Sequence, residues 1–219
     1  MLKNFLVERS LVQPSDNVTI KPFSSKDLVS DGQIVKLLKH LESENLWREL
    51  VWTVLVTITG RRFKDISRMK WCNIQLTSSG VYCLVNKDKA SQGKTVNFGF
   101  SWSDWDLKWN LNSFKKWFLA CKKEKNKPGF VVENVNIKSE AINMKQRIKR
   151  RGGWRMHSLR NRKAIIMLIA GKSEENTRAK IGWRSMTSLY RYTIMNHDEI
   201  SKCSNYEECR KLILNNRND

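Results

Sequence analysis

The chain has 219 residues and a mass of 25.8 kDa, enough for one domain with a hydrophobic core. Hydrophobic residues make up 40% of it and include nine Trp, which excludes an intrinsically disordered protein. Its 41 Lys and Arg outnumber 21 Asp and Glu, and the net charge is +20. A compact domain with that charge repels itself unless a polyanion binds it, so nucleic acid is the first partner to consider. Structural RNA-binding proteins share this property, so charge alone does not indicate an enzyme.

The sequence contains neither a long apolar run nor a cysteine motif. No run approaches the roughly 18 apolar residues of a membrane span. Glu8 and Arg9 interrupt the apolar residues near the N-terminus, whereas a signal peptide requires an uninterrupted apolar run. The five Cys are scattered and lack C-x-x-C spacing. We therefore expect a soluble protein of a reducing, intracellular compartment, with no membrane association, no disulfide framework and no zinc site.

Helical periodicity dominates the chain. Residues 1–28 lack it and predict an extended arm, after which Asp31 is the predicted N-cap of the first helix. The second helix, WRELVWTVLVTIT, is apolar on nearly all sides and should be central and buried. The complete set of predicted helices is 31–41, 46–59, 64–70, 112–122, 139–149, 159–170, 173–181 and 198–216.

Two β-rich runs interrupt the helices. VYCLV (81–85) and KTVNFGF (94–100) flank a polar turn and predict a hairpin. The segment RIKRRGGWR (147–155) predicts a basic turn broken by glycine. The fold class is therefore α+β, mainly α-helical, with a small antiparallel sheet.

Metal and nucleotide motifs are missing from the sequence. It has no P-loop, no G-x-G-x-x-G and no H-E-x-x-H, and its three His are far apart. The nearest approach to a pair of metal-binding carboxylates is Asp104 with Asp106, in a predicted surface turn between Trp residues. Phosphodiester chemistry in this chain should therefore need neither metal nor cofactor. It would need a protein nucleophile, cations for the phosphate oxygens and an acid for the leaving 5′ oxygen.

Five motifs occur in an order that meets this need. They are TGRR (59–62) at the end of the buried helix, a hairpin turn with Lys89, HSLR (157–160), IGWRS (181–185), and Tyr192 nine residues after Trp183. In these motifs the chain resembles the catalytic domain of the tyrosine recombinases, the integrase family. There T-G-x-R, a hairpin Lys, H-x-x-R, G-[HW] and a Tyr about nine residues later form one active site. The resemblance covers about residues 30–195 and implies the tyrosine recombinase fold.

The resemblance implies a catalytic set and a role for each member. Both arginines and the tryptophan hold the scissile phosphate, the tyrosine attacks it, the histidine accepts or orients the proton, and the lysine protonates the departing 5′ oxygen. Asp65, one helical turn after the first arginine, is expected to orient that arginine. The catalytic set is Arg62, Lys89, His157, Arg160, Trp183 and Tyr192.

Several assignments have competitors. Tyr190 competes with Tyr192, and Lys87 and Lys94 flank the same hairpin as Lys89. The basic segment 147–155 can be read as a nuclear-localisation patch or a solvated run, but its place before HSLR favours contact with the DNA backbone. The predicted DNA-binding residues are Lys87, Lys94, Arg147, Lys149, Arg150, Arg151 and Arg155.

The resemblance also implies partners and domains. The partner is double-stranded DNA, bound by a homotetramer on two duplexes, in the nucleus of a eukaryotic host or otherwise in the cytoplasm or nucleoid. The domains are the arm 1–28, a catalytic domain 29–195 and a C-terminal tail 196–219 available for exchange between protomers. Family members usually carry an N-terminal clamp domain before the catalytic part. Only about 28 residues precede the catalytic part in this sequence, so we expect either a fragment of a longer protein, or clamping by an accessory chain, or weak binding by this chain alone.

Two other functions use the same residues. A type IB topoisomerase resembles the recombinases in fold and site but rejoins the same strand. A recombinase that has lost catalysis would remain a DNA-binding module.

Trp183 stands where most bacterial members have His, although some members use Trp.

Overall fold

The structure is a computed structural model and describes residues 28–86, 95–124, 129, 131, 139–183 and 203–215. Helices lie near most predicted positions, and a π-helical turn, Lys211–Asn215, follows the last of them. All but one residue of the predicted arm over 1–28 lies outside the described residues. The helices are α1 (Asp31–Ser43), α2 (Trp47–Thr59), α3 (Phe63–Ser67), α4 (Leu111–Glu124), α5 (Ser139–Gly152), α6 (His157–Ile169), α7 (Glu174–Ile181) and α8 (Tyr206–Arg210).

The described residues include one antiparallel sheet of three strands, in the order β1 (Ile74–Leu76), β2 (Gly80–Asn86) and β3 (Thr95–Ser101). β2 and β3 form the predicted hairpin, and Val81 pairs with Phe100 in its register. The sequence did not predict β1, because three residues are too few to reveal a period of two. The expected class, mainly helical with a small antiparallel sheet, is confirmed.

Helix α2 is the centre of the core, as its apolar sequence predicts. Trp52 and Leu55 have no exposed surface, and α2 packs against α1, α3, α6 and β3. Its buried threonines remain hydrogen-bonded, since the hydroxyl groups of Thr53 and Thr57 donate to carbonyl oxygens four residues earlier, each at 2.7 Å. Every residue of α2 from Glu49 to Thr59 is buried, which places the C-terminal end of the helix, where the TGRR motif begins, inside the molecule.

The first helix begins one residue from its predicted cap. Ser30, not Asp31, is the N-cap, and its hydroxyl oxygen accepts from the Gln33 N–H at 3.1 Å while Gln33 Oε1 accepts from the Ser30 N–H at 3.2 Å. This is a capping box. Asp31 is thereby left for ion pairs with Arg162 and Arg210, both at 2.7 Å.

The predicted basic turn at 147–155 is mostly helical, so that prediction was wrong. Helix α5 continues through Gly152, and the chain turns only at Gly153, with a φ of 73°. Basic residues are good helix formers and here lie on solvent-facing positions, so nothing ends the helix before the glycines. The basic side chains therefore project at helical spacing instead of following a loop.

Helix α6 is less apolar than its sequence suggests. Arg160, Arg162 and Lys163 are all buried in it, each with an acceptor supplied by another element. The Arg162 guanidinium pairs with Asp31 and with Asp106, whose carboxylate is 3.0 Å away. Burial lowers the pKa of Lys163, and the nearby carboxylates of the turn at 104–106 oppose that shift.

The two carboxylates predicted in a surface turn are partly buried and paired. Asp106 binds Arg162, and the Asp104 carboxylate accepts hydrogen bonds from the Ser101 N–H at 2.9 Å and from Lys180 Nζ at 3.0 Å. These contacts neutralise positive charge in the interior, where an unpaired cation is costly. Tertiary packing therefore gives both residues a structural role.

The described part of the predicted C-terminal tail packs on its own chain. In residues 203–215, Cys209 and Leu214 are buried in a second core cluster with Ile165, and α8 contacts α6. Arg210 pairs with Asp31 at 2.7 Å. Exchange of this segment between protomers stays a prediction. In the part of the chain that the structure describes, no helix is both long and apolar enough to cross a membrane.

Candidate active site

A cavity of about 590 Å³, here called the site cavity, lies where α2, α3, α5 and α6 meet. It brings together three members of the predicted catalytic set from two distant motifs: Arg62, His157 and Arg160. The rest of its lining is mostly cationic or apolar and consists of Val56, Phe63, Lys64, Lys145, Gln146, Lys149, Arg155 and Met156. None of these lining residues is acidic, and such a set suits an anion.

The two arginines of TGRR have different environments. Arg61 is buried, donates to the carbonyl oxygen of Ala179 at 3.2 Å and lies 5.2 Å from the centroid of the Phe98 ring. Burial lowers the pKa of Arg61, and Asp65 opposes that shift. Arg62 is half-buried and lines the site cavity. Arg61 therefore connects elements of the fold, and Arg62 is the one whose side chain is available to a phosphate in the cavity.

Arg160 joins three of the sequence motifs. Its side chain is buried, and Nη1 donates to the carbonyl oxygens of Gly60 at 2.8 Å and Ile181 at 3.0 Å. Its guanidinium carbon lies 5.8 Å from the centroid of the Trp183 ring, within the range of a cation–π contact. These contacts fix the planar guanidinium, whose fork matches a phosphate.

His157 and Arg160 share one face of α6, as their spacing predicts. His157 is the first residue of α6, is exposed and lines the site cavity. Arg160 follows one turn later and lines the same cavity from a buried position. A group bound in the cavity can therefore contact both side chains.

Two glycines shape the backbone of the site. Gly60 ends α2 with φ of 64°, and Gly182 ends α7 with φ of 78°, both in the left-handed region. A Cβ atom at Gly60 would lie 2.9 Å from Ile181 Cδ1 and 3.1 Å from Lys163 Cγ. At Gly182 it would overlap the Arg61 guanidinium. Glycine at both positions lets the TGRR and IGW segments approach each other.

Trp183 follows Gly182 directly and is buried in the second core cluster. Its backbone N–H donates to the carbonyl oxygen of Arg178 at 3.0 Å. The Arg160 contact places its ring beside the proposed phosphate-binding arginine. The structure thus packs Trp183 against Arg160, and the expected contact of its indole N–H with the scissile phosphate stays a prediction.

Asp65 is buried one turn after Arg62. Its backbone N–H donates to the carbonyl oxygen of Arg62 at 2.8 Å, in the first turn of α3. Among the described residues, its carboxylate interacts electrostatically with Arg61 and opposes the lowering of that arginine's pKa by burial. Orientation of Arg62 by Asp65 stays a prediction.

The predicted DNA-binding residues of α5 and the following turn separate into groups. Lys149 and Arg155 line the site cavity. Arg147 pairs with Glu49 at 2.9 Å and, with Arg151, lines a different cavity of about 480 Å³ at the start of α2. Arg150 is exposed and lines neither. The structure therefore connects only part of this basic segment to the site.

Sequence reasoning missed three polar residues of the site cavity: Lys64, Lys145 and Gln146. Lys145 and Lys149 are four residues apart on α5, which puts them on one face. That spacing was the available signal, but it points at the site only when α5 is known to pack against α3.

Several predicted residues lie outside the described ones: Lys87, Lys89, Lys94, Tyr190 and Tyr192. Their roles stay predictions. Within the described ranges, no group of three or more His, Cys, Asp or Glu side chains is close enough to hold a metal ion.

Comparisons with known proteins indicate the same family as the sequence motifs do. The model of the phage integrase family matches residues 28–199. XerH site-specific recombinase bound to palindromic difH substrate, in a post-cleavage complex, is 14% identical with a TM-score of 0.58, over 82% of this chain and 52% of that one. A lambda integrase dimer bound to a COC′ core site is 19% identical with a TM-score of 0.53, over 80% and 62%. XerA recombinase is 15% identical with a TM-score of 0.56, over 78% and 64%.

At these identities the likeness to solved structures concerns the fold. The aligned part amounts to between 52% and 64% of the length of these recombinase chains. No curated protein sequence is significantly similar to this chain. The family match extends over most of the sequence and includes all five motifs. The chain therefore belongs to the phage integrase family, that of the tyrosine recombinases.

Proposed function

We propose that this chain is a site-specific DNA recombinase that cuts and rejoins strands through a covalent 3′-phosphotyrosyl intermediate. The observation that carries the proposal is the site cavity, in which Arg62, His157 and Arg160 meet although their motifs are far apart in the sequence. A basic surface patch does not require a buried arginine hydrogen-bonded to two backbone carbonyl oxygens. Such fixation serves a group that must bind one anion in one geometry.

The arginines stabilise charge on the phosphate. Attack on phosphorus forms a pentacoordinate transition state whose non-bridging oxygens carry more negative charge than in the ground state. Arg62 and Arg160 donate hydrogen bonds to these oxygens, together with the indole N–H of Trp183. Arg160 is already fixed by Gly60, so little reorganisation accompanies the reaction.

The covalent step transfers the phosphodiester from DNA to the protein. The phenolic oxygen of Tyr192 forms a bond to phosphorus, and His157 accepts the phenolic proton. The bond from phosphorus to the 5′ oxygen breaks, and Lys89 supplies a proton to that oxygen. Attack by the 5′-hydroxyl of a second strand reverses each transfer. The number of phosphoester bonds is unchanged, so no nucleotide is consumed.

Double-stranded DNA is the proposed partner, and the net charge of +20 supports it. Strand exchange requires two duplexes, and a homotetramer provides one active site for each of the four strands. The tail 196–219 would join neighbouring protomers of that assembly. Residues 29–195 are the proposed catalytic domain, and an accessory clamp is compatible with this assignment.

The proposal can be tested with a pool of DNA duplexes of randomised sequence. Each duplex carries a nick a short distance 3′ of the cleavage position. Cleavage releases a short fragment that carries the 5′-hydroxyl, so religation fails and the covalent adduct accumulates. Sequencing the trapped DNA identifies the target. Trapping by the wild-type chain but not by Tyr192→Phe supports the proposal, and no trapping under any condition contradicts it.

A supercoiled plasmid containing the selected sequence separates the two enzymatic functions. Recombination between two copies of the site produces new joints, whereas a type IB topoisomerase relaxes the plasmid and rejoins the original strand. Binding without any adduct would favour a DNA-binding module that has lost catalysis.

A further inference from the structure

We propose that Lys145 binds the DNA phosphate next to the scissile one and thereby positions the strand for cleavage. The inference rests on the proposed function, because it requires DNA to enter the site cavity. Lys145 lies on α5 and belongs to none of the five sequence motifs.

The position of the Lys145 ammonium group is defined by an aromatic ring. Its Nζ atom lies 5.0 Å from the centroid of the Phe63 ring. Phe63 is buried, and its ring centroid is 4.1 Å from that of the fully buried Trp52. Phe63 is also the residue after Arg62. The Lys145 ammonium group is therefore held against a ring that is anchored in the core and that belongs to the residue next to Arg62, a proposed phosphate-binding arginine.

Lys145 differs from the other lysines that line the site cavity. Lys64 and Lys149 are exposed, whereas Lys145 is half-buried. A side chain already held against a ring loses less rotamer freedom when it binds a ligand than an exposed one does. Among the cavity lysines, Lys145 is thus the one preorganised for a contact.

The contact belongs to a neighbouring phosphate. Arg62, the residue before α3, and Arg160 of α6 are assigned to the scissile group, whereas Lys145 enters the cavity from α5. Successive phosphates of one strand are joined through a single sugar; they rise by about 3.4 Å along the axis of the duplex and lie farther apart than that in space, because the strand winds around the axis. A strand held at one phosphate inside a cavity of about 590 Å³ brings its neighbour into the same cavity.

The competing explanation is that the lysine only packs on Phe63. The chain offers a matched control in Lys115, which is also half-buried and whose Nζ lies 5.7 Å from the centroid of the Trp102 ring. Lys115 does not line the site cavity. The two lysines therefore share the ring contact and differ in access to the cavity.

The test measures DNA binding against salt concentration for the wild-type chain, Lys145→Ala, Lys145→Arg and Lys115→Ala, with the duplex selected by adduct trapping. Loss of one phosphate contact lowers the slope of log K against log salt by about 0.9. The affinity advantage of wild type over Lys145→Ala then shrinks about 3.5-fold from 50 to 200 mM salt. Lys145→Arg and Lys115→Ala should keep the wild-type slope.

Single methylphosphonate linkages then locate the phosphate. Neutralising the linkage beside the scissile one should weaken binding by the wild-type chain and by Lys145→Arg, but not by Lys145→Ala. Three results would each overturn the inference: Lys145→Ala keeps the wild-type slope, Lys115→Ala loses as much slope as Lys145→Ala, or all variants are equally sensitive to that linkage. In each of these cases, adduct formation by the wild-type chain would still support the recombinase. Failure of the wild-type chain to form an adduct overturns the proposed function itself. The slope can then still be measured on mixed-sequence duplex DNA, where a wild-type slope in Lys145→Ala overturns the inference.

Discussion

The buried guanidinium of Arg160 donates a hydrogen bond of 2.8 Å to the carbonyl oxygen of Gly60, the glycine that ends α2. The same Nη1 atom donates to Ile181, one residue before the glycine that ends α7. Arg160 therefore holds two helix ends together and also lines the site cavity. One side chain contributes to the fold and to the proposed chemistry, so its substitutions must be examined for both.

We expect Arg160→Ala to reduce both cleavage and stability. Loss of charge stabilisation at the phosphate should slow cleavage by about 10²–10³-fold. Loss of two hydrogen bonds from a buried charged group should lower the free energy of unfolding by about 2–3 kcal/mol. Arg62→Ala should slow cleavage comparably but cost less than about 1 kcal/mol, since Arg62 is half-buried. Single-turnover cleavage and urea unfolding measure the two effects, and equal stability losses in both variants would contradict the assignment.

We expect Gly60→Ala to destabilise the protein more than Gly171→Ala. Both glycines have positive φ, 64° and 75°, so both substitutions carry the left-handed strain of about 1 kcal/mol. Only at Gly60 does the new Cβ also meet other side chains, Ile181 and Lys163. Overpacking there adds about 1–3 kcal/mol. Equal urea midpoints for the two variants would show that the helix ends are not closely packed.

We expect Tyr192→Phe to abolish the covalent adduct and to leave DNA affinity almost unchanged, because only the nucleophilic oxygen is removed. The matched variant is Tyr190→Phe, which should still form the adduct. Gel mobility of the trapped complex and a binding titration measure the two properties. Adduct formation by Tyr192→Phe together with its loss in Tyr190→Phe would transfer the nucleophile to Tyr190.

We expect a substrate with a 5′-bridging phosphorothiolate to restore cleavage by Lys89→Ala. Sulfur leaves without protonation, so it bypasses the missing acid but does not replace the arginines. Arg62→Ala and Arg160→Ala should therefore stay slow on both substrates. Rescue of Lys87→Ala or Lys94→Ala instead would identify another lysine of the hairpin. If no lysine variant is rescued, His157 becomes the candidate acid.

We expect Asp104→Asn to lower the free energy of unfolding at about pH 6 but not at strongly acidic pH. Burial raises the pKa of Asp104, but the Ser101 N–H and Lys180 together hold it below its ordinary value of 3.8. A depressed folded-state pKa stabilises the protein above the unfolded-state value, and that contribution is lost as the pH falls through the folded-state value. Asn retains an oxygen acceptor for Ser101, so the variant removes mainly the charge.

The measurement is the free energy of unfolding between about pH 6 and about pH 2.5. At the upper end Asp104→Asn should be less stable than wild type by about 0.5–1 kcal/mol, an amount suited to a partly exposed pair. At the lower end the two proteins should converge. Parallel curves would mean that the ion pair with Lys180 contributes nothing.

The sequence by itself determined the elements that depend on local patterns. Apolar spacing predicted α1 and α2, the turn between two β-rich runs predicted the hairpin of β2 and β3, and the motif order predicted the family. Local patterns failed where context was needed. Three residues could not reveal β1, and two adjacent glycines suggested a turn before α5 had ended.

Only the tertiary structure decided which charged residues meet. Arg61 and Arg62 are neighbours in one motif, yet Arg61 is buried against Phe98, whereas Arg62 lines the site cavity together with residues of α5 and α6. Lys145 has no signature in the sequence, since it reaches the site through the packing of α5 on α3. Periodicity records the face of a single helix, whereas these contacts depend on how separate helices pack, and that arrangement arises from the whole core at once.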